Sequence, residues 1–215
     1  MKTLDELINQ DDPGISLIRE WIEECDNDVA LLPPSEKRDE VLLELQVTTR
    51  SSMGAVAYET GGILIEHGWL RFLGSGHPKL TRTLSGWNQG RSNGLFLIAD
   101  DAVGGFFAIN GGALGDRFQD TYYLAPDGLE WEALEIGYTD FFQWSLTSKL
   151  SDFYEDLRWP SWKDDVAALQ SDQCFGFFPF LWTEQGSVQA SNRRPLPASE
   201  AFELHMDVMR QLNSQ

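Results

Sequence analysis

Apolar side chains recur at helical spacing through the first part of the chain. Ile15, Ile18, Ile22 and Cys25 return every three or four residues, with Leu17 and Trp21 beside them, which describes the buried stripe of an amphipathic helix. Asp12-Pro13 supplies its start, an N-cap followed by Pro at the first helical position. A short helix is expected before it at Leu4 to Ile8. Leu31-Leu32-Pro33-Pro34 ends the segment, because a residue preceding proline avoids helical geometry. Ser35 then starts another helix carrying Val41, Leu42 and Leu45, so the first 45 residues read as helical packing material.

From Gly54 the pattern changes to short apolar runs bounded by turn residues. Gly61 to Leu73 reads as two short strands turning at His67-Gly68. A loop rich in Gly, Ser, Pro and Thr follows from Gly74 to Gly94. Leu95 to Ala99 and Phe106 to Ile109 make a hairpin, with Asp100-Asp101 and Gly104-Gly105 as the turn. Tyr122-Tyr123-Leu124 and Leu129 to Leu134 extend the sheet around the turn Ala125-Pro126-Asp127-Gly128. Thr139 caps a helix bearing Phe141, Phe142, Trp144, Leu146, Leu150, Phe153, Tyr154 and Leu157, stopped by Trp159-Pro160, and another begins near Ser161. The run Phe175 to Trp182 is too broken by Pro179 for a central strand. After Ser199 a last helix carries Phe202, Leu204, Met206, Met209 and Leu212. The expected fold is α+β: a mainly antiparallel sheet of about five strands flanked by N-terminal and C-terminal helices, in a single domain over residues 1–215.

Composition narrows the function classes. With 42% hydrophobic residues in 215, the chain holds enough apolar material for a core of its own. Cys25 and Cys174 are the two cysteines, far apart and in no metal-binding pattern, which suits a reducing compartment without disulfide framework or metal site. The N-terminal residues lack the apolar run of a signal peptide, and no stretch is apolar enough to span a membrane, so a cytoplasmic location is expected. A formal net charge of −18 repels phosphate backbones and anionic lipid, which sets aside nucleic acid and membrane as partners and leaves a basic protein. The charge is uneven. Residues 120–172 carry twelve Asp or Glu against three Lys or Arg, whereas residues 67–99 carry four Lys or Arg and no acid.

Short catalytic signatures (HExxH, GxSxG, Walker A, the EF-hand loop and CxxC) are absent from the sequence, no residue is singled out as catalytic, and no cofactor is implied. Gly74-Ser75-Gly76-His77-Pro78-Lys79 lacks the third Gly and the helix start of a phosphate loop. His67, His77 and His205 stand apart, with the ordinary reading of turn or surface histidines. Asp100-Asp101 reads as turn chemistry ahead of a carboxylate pair. Two candidate surfaces remain. In the acid-free segment, Trp69, Arg71, His77, Arg82, Trp87 and Asn88, with Lys79 and Arg91, suit a pocket for a small anion or nucleotide-like ligand. In the acidic segment, Asp127, Glu130, Trp131, Glu132 and Glu135 suit a face that meets a basic protein, aromatic side chains amid charge being the material of interface anchors. Trp144, Trp159 and Trp182 sit among apolar residues and are assigned to the core.

The segments Leu45 to Ser52, Gly61 to Arg71 and Asn110-Gly111-Gly112 resemble an uncharacterised bacterial family, domain of unknown function 2625. Tyr122 to Asp127, Phe153 to Trp159 and Phe178 to Trp182 extend the resemblance over nearly the whole chain. The family carries no established activity. More distantly, the hairpin Gly94 to Asp100 and Phe106 to Gly112 is similar to the SUKH superfamily, many of whose members are immunity proteins that bind toxins. Together these readings imply a non-catalytic, acidic protein-binding module that sequesters a basic partner. The alternative is a small-molecule binder or unrecognised enzyme built on segment 67–99.

Overall fold

The computed structural model describes residues 1–91 and 93–213; Ser92, in the expected loop from Gly74 to Gly94, lies outside them. Seven strands form one antiparallel sheet in sequence order: β1 (Val29–Leu32), β2 (Gly62–Ile65), β3 (Leu70–Leu73), β4 (Leu95–Asp101), β5 (Phe106–Asn110), β6 (Thr121–Leu124) and β7 (Trp131–Ala133). A separate hairpin pairs β8 (Gln173–Phe178) with β9 (Asn192–Pro197). The α+β expectation stands, with seven sheet strands where about five were expected. The added strands come partly from Val29–Leu32, which the prolines made look like a helix tail. Its amide and carbonyl groups pair instead with β2, Val29 facing Ile65 and Leu32 facing Gly62. Residues 1–45 are therefore not wholly helical.

The helices are α1 (Leu4–Leu7), α2 (Gly14–Glu24), α3 (Arg38–Leu45), α4 (Ser52–Glu59), α5 (Leu84–Asn88), α6 (Tyr138–Ser145), α7 (Lys149–Phe153), α8 (Trp162–Ala167) and α9 (Ala198–Asn213). Four features differ from expectation for identifiable reasons. Pro13 is the N-cap of α2, and Asp12 pairs with Arg50. The loop from Gly74 to Gly94 contains α5, whose Gly86 amide is capped by the Thr83 hydroxyl at 3.0 Å. The helix expected from Thr139 to Leu157 is broken into α6, α7 and a 3-10 turn at Glu155–Leu157. At that break the Thr147 hydroxyl donates to the Trp144 carbonyl and Asn27 Nδ2 donates to the carbonyls of Ser145 and Thr147, so side chains satisfy groups a continuous helix would use. Gly137 is the N-cap of α6, and the Thr139 hydroxyl meets that of Ser52 instead.

Strand pleating sorts the side chains into two layers. On one face Phe72 and Phe107 lie against α6 and Tyr123 against Phe153 of α7; Phe107 stacks on Phe141 at 4.7 Å, and Phe72 contacts both Phe141 and Phe142. Burying each such ring stabilises the fold by about 2–3 kcal/mol. On the other face Arg71, Asp100 and Phe106 share a row, and Phe106 meets Phe202 of α9 edge to face at 5.1 Å. The C-terminal hairpin and α9 thus close the second face. Among the described residues no helix is long and apolar enough to cross a membrane.

Candidate functional site

Asp100 and Asp101 end β4, so the turn begins after them, at Ala102. Being successive strand residues, they point to opposite faces and cannot act on one substrate atom as a pair. Asp100 receives Arg71 Nε at 2.7 Å and also pairs with Arg82. Arg71 donates its other nitrogens to the carbonyls of Gln173 (2.5 Å) and Asp101 (3.2 Å), and Arg82 Nε reaches Asp172 at 3.2 Å. Burial alone would raise the Asp100 carboxyl, but the two guanidiniums outweigh it and hold the group below its ordinary value. On the opposite face Asp101 accepts from the amides of Val103 (3.0 Å) and Gly105 (2.7 Å) and from the hydroxyls of Tyr123 (2.7 Å) and Tyr154 (3.1 Å). Burial pushes its carboxyl up to about 6 against the pull of these four donors.

Two arginines of the acid-free segment, Arg71 and Arg82, therefore converge, but on a buried carboxylate, while Arg91 pairs with Glu203. Trp69 is wholly buried, edge to face with Tyr154 and Trp162. Asn88 is buried and donates to the carbonyls of Leu84 and Leu97 while accepting from the Leu97 amide. Trp87 is buried beneath the guanidiniums of Arg82 and Arg91. His77 is half-buried at a turn, with Nδ1 accepting from the Lys79 amide at 3.1 Å. Of these six residues, Arg71 alone borders a polar hollow of about 630 Å³, with Asp28, His67 and Lys79. The six do not surround one ligand site. A segment without acids draws its counter-charges from elsewhere in the chain, here Asp100 and Asp172.

The acidic segment is displayed at the sheet edge. Asp127, Glu130, Glu132 and Glu135 are exposed around β7, Glu135 pairing with Arg117 at 2.7 Å. Trp131 is half-buried and packed against the core, its Nε1 buried without a hydrogen-bond partner among the described residues. Tyr122, Tyr123, Tyr138, Tyr154 and Trp159 are buried, so in this segment the acids face out while these aromatics face in.

A second cavity, about 470 Å³, opens where α9 crosses the C-terminal hairpin. The hairpin register puts Cys174, Gly176, Phe178, Asn192, Arg194 and Leu196 on one face. Gly176 lets the Leu196 side chain lie across that face, since a Cβ there would clash with Leu196 Cδ2. From α9, Ala201, Leu204 and His205 project into the same space at helical spacing. The segment after β8 brings aromatic rings to the mouth. Phe180 stacks on Trp182 at 4.5 Å, Phe178 meets Phe180 edge to face, and Phe178 is 68% exposed. Trp182, assigned to the core from its neighbours, is half-buried and lines this cavity, as does the rest of the Phe175 to Trp182 run apart from Pro179.

His205 forms the cavity's one buried titratable wall, 4% exposed and edge to face with Trp182 at 4.7 Å. Its Nδ1 lies 3.0 Å from the Ala201 carbonyl, and a carbonyl only accepts, which places the ring proton on Nδ1. Burial lowers the ring's affinity for a second proton, outweighing the carbonyls of Ala201 and Pro126, which favour one. With the proton on Nδ1, Nε2 is an acceptor, and it has no donor among the described residues, since the Pro126 carbonyl near the ring is itself only an acceptor. Arg194 and Glu200, both exposed, supply the charge at the rim, and neither makes an ion pair or side-chain hydrogen bond among the described residues. Cys174, in β8, is buried, with its thiol pushed up to about 12 by burial, so it is protonated and unreactive near neutrality. Sequence reasoning missed this cavity because His205 was read as a surface histidine. The available signal was the aromatic run around Gly176 together with the 201, 204, 205 spacing.

A family model described as "Protein of unknown function DUF2625" matches residues 4–201. A "Putative uncharacterized protein YbfG" of Escherichia coli strain K12 is 42% identical over 208 residues, covering 95% of either chain. An "Uncharacterized protein" of Haemophilus influenzae is 40% identical over 189 residues, covering 84% of this chain and 83% of its own. The more distant SUKH likeness gains no support from these matches. With a family model spanning most of its length and two such relatives, the chain belongs to the DUF2625 family.

Proposed function

We propose that this protein is a binding module that takes a small, largely apolar molecule into the cavity between the C-terminal hairpin and α9. The observation that carries the proposal is an aromatic-walled hollow of about 470 Å³ bordered by a buried, unpartnered imidazole nitrogen. Small-molecule sites have this size and this mixture of apolar walls with a few placed polar atoms, and an acceptor left unpaired in a protein interior costs about 1–3 kcal/mol that a ligand can relieve. The test is titration with anilinonaphthalene sulfonate, followed by its fluorescence, on the wild type and on Ala201→Phe. The larger ring fills the cavity from its α9 side, so enhancement is expected in the wild type and should fall at least tenfold in the variant. Equal enhancement in both proteins, each folded by circular dichroism, overturns the assignment of this cavity.

A second reading, contact with a basic protein, is supported by the placement of Asp127, Glu130 and Glu132 around an edge strand. An edge strand offers free backbone groups to an extended segment, and its acids favour a lysine-rich one. The same charges also guard the edge against self-association. A lysine-rich peptide that fails to bind at low ionic strength removes this reading.

A further inference from the structure

Resting on the cavity assignment above, we infer that the ligand is an aromatic α-amino acid whose ring carries a hydrogen-bond donor, a phenol or an indole. Three independent features define it. The first is apolar: Phe180, Leu181, Trp182, Leu196 and Leu204 enclose space suited to an aromatic ring, and rings pack edge to face or offset against rings with a gain beyond buried area. The second is His205 Nε2. As an acceptor whose polar neighbour, the Pro126 carbonyl, cannot donate to it, it selects a ring bearing O–H or N–H over a plain phenyl ring, because the plain ring would leave it unsatisfied.

The third feature is charge of both signs at the rim. Arg194 comes from β9 and Glu200 from the first turn of α9; both line the cavity, and they do not pair with one another or with any described residue. A lone anion on the ligand would be attracted by one and repelled by the other. A zwitterion satisfies both, its carboxylate on Arg194, with the exposed Asn192 amide beside it on the same strand face, and its ammonium on Glu200. The chain's net charge of −18 reinforces the point, since a plain carboxylate has no long-range attraction toward it, whereas a zwitterion is indifferent to net charge.

Calorimetric titration of the full chain with four compounds separates the features. Tyrosine carries all three groups. Phenylalanine lacks the phenol, tyramine lacks the carboxylate and hydroxyphenylpropionate lacks the ammonium. Tyrosine is expected to bind at least tenfold tighter than each of the others, the scale of one charge-assisted or buried hydrogen bond. Arg194→Gln should erase the advantage over tyramine, Glu200→Gln that over hydroxyphenylpropionate, and His205→Phe that over phenylalanine. Equal binding of all four compounds, with anilinonaphthalene sulfonate still displaced by them, overturns the amino-acid assignment while the cavity assignment stands. Absence of binding by the four compounds and by anilinonaphthalene sulfonate alike overturns both. If His205→Phe proves unfolded, the tyrosine to phenylalanine ratio on the wild type decides the role of Nε2 alone.

Discussion

Two regions of this protein collect polar atoms inside apolar surroundings, and they treat them in opposite ways. At the end of β4, Asp100 and Asp101 meet two guanidiniums, two backbone amides and two phenols, and both carboxylates are saturated from within the chain. Between the C-terminal hairpin and α9, His205 Nε2, Arg194 and Glu200 have no such partners. The first region has the look of chemistry in the sequence, adjacent acids near several arginines, yet every charge is committed to holding strands, hairpin and helices together. The second has no sequence signature of charge at all. A buried carboxylate whose oxygens are saturated leaves little for a ligand to gain, even with Arg82 Nη2 unpartnered among the described residues, and breaking the pair is costly; an unsatisfied acceptor beside an open hollow is where a ligand can lower the free energy.

The largest expected effect breaks the first region. Arg71→Met leaves Asp100 with one cation, takes from the Gln173 carbonyl its arginine donor, and leaves the Asp101 carbonyl with the Gly104 amide. Loss of one partner from a buried pair costs about 3–5 kcal/mol, on the order of 10 °C in Tm for a domain of this size. Thermal unfolding checks it. A drop of a degree or two would show that water or Arg82 alone suffices, and would erase the contrast between the regions.

A smaller effect sharpens the contrast between the two acids. Asp101 has a folded-state value near 6, raised from the ordinary 3.8. A raised carboxyl binds more protons in the folded state, so its stabilising contribution is complete below about pH 4 and is lost as pH rises through about 6. Asp100 is lowered, so its contribution is present above its ordinary range and lost in acid. Asp101→Asn removes only the first dependence. Between about pH 4.5 and 7.5, the stability of the variant relative to wild type should improve by about 2 kcal/mol. Denaturant melts at both pH values measure the gap, and a gap that stays constant would mean that the four donors to Asp101 cancel its burial.

The smallest effects on stability fall at the open region and the acidic edge. Phe178→Ser replaces a side chain that is 68% exposed, so stability should move by no more than about 0.5 kcal/mol, while affinity for anilinonaphthalene sulfonate falls because Phe178 lines the mouth. Reversing Glu130 and Glu132 to Lys should likewise change stability by less than about 0.5 kcal/mol and leave cavity binding untouched. If either variant unfolds, these surfaces are structural and the division drawn above is misplaced.

Local regularity carried a large part of the fold. The hairpin of β4 and β5 was legible because Leu95 to Ala99 and Phe106 to Ile109 flank turn residues, and α9 because its apolar residues keep helical spacing; both signals are complete within about ten residues of chain. Val29–Leu32 was not legible as a strand, since four residues ahead of two prolines have no period of their own and become a strand only when Gly62–Ile65 lies alongside. Asn192–Pro197, with Pro195 and Pro197, has the composition of a loop; its prolines are tolerated because the sheet it joins has only two strands and every strand in it is an edge. The roles of the charged residues were decided almost wholly by tertiary structure. Sequence distance says nothing of whether Arg82 meets Asp100 or a ligand, nor that pleating sends Asp100 and Asp101 to opposite faces of the sheet. For the cavity, the chain supplied an apolar run, a glycine and a helix with His205. Whether that nitrogen would be solvated, paired or bare depended on how the hairpin and α9 crossed, because burial and hydrogen bonding are properties of assembled surfaces and not of the residues that form them.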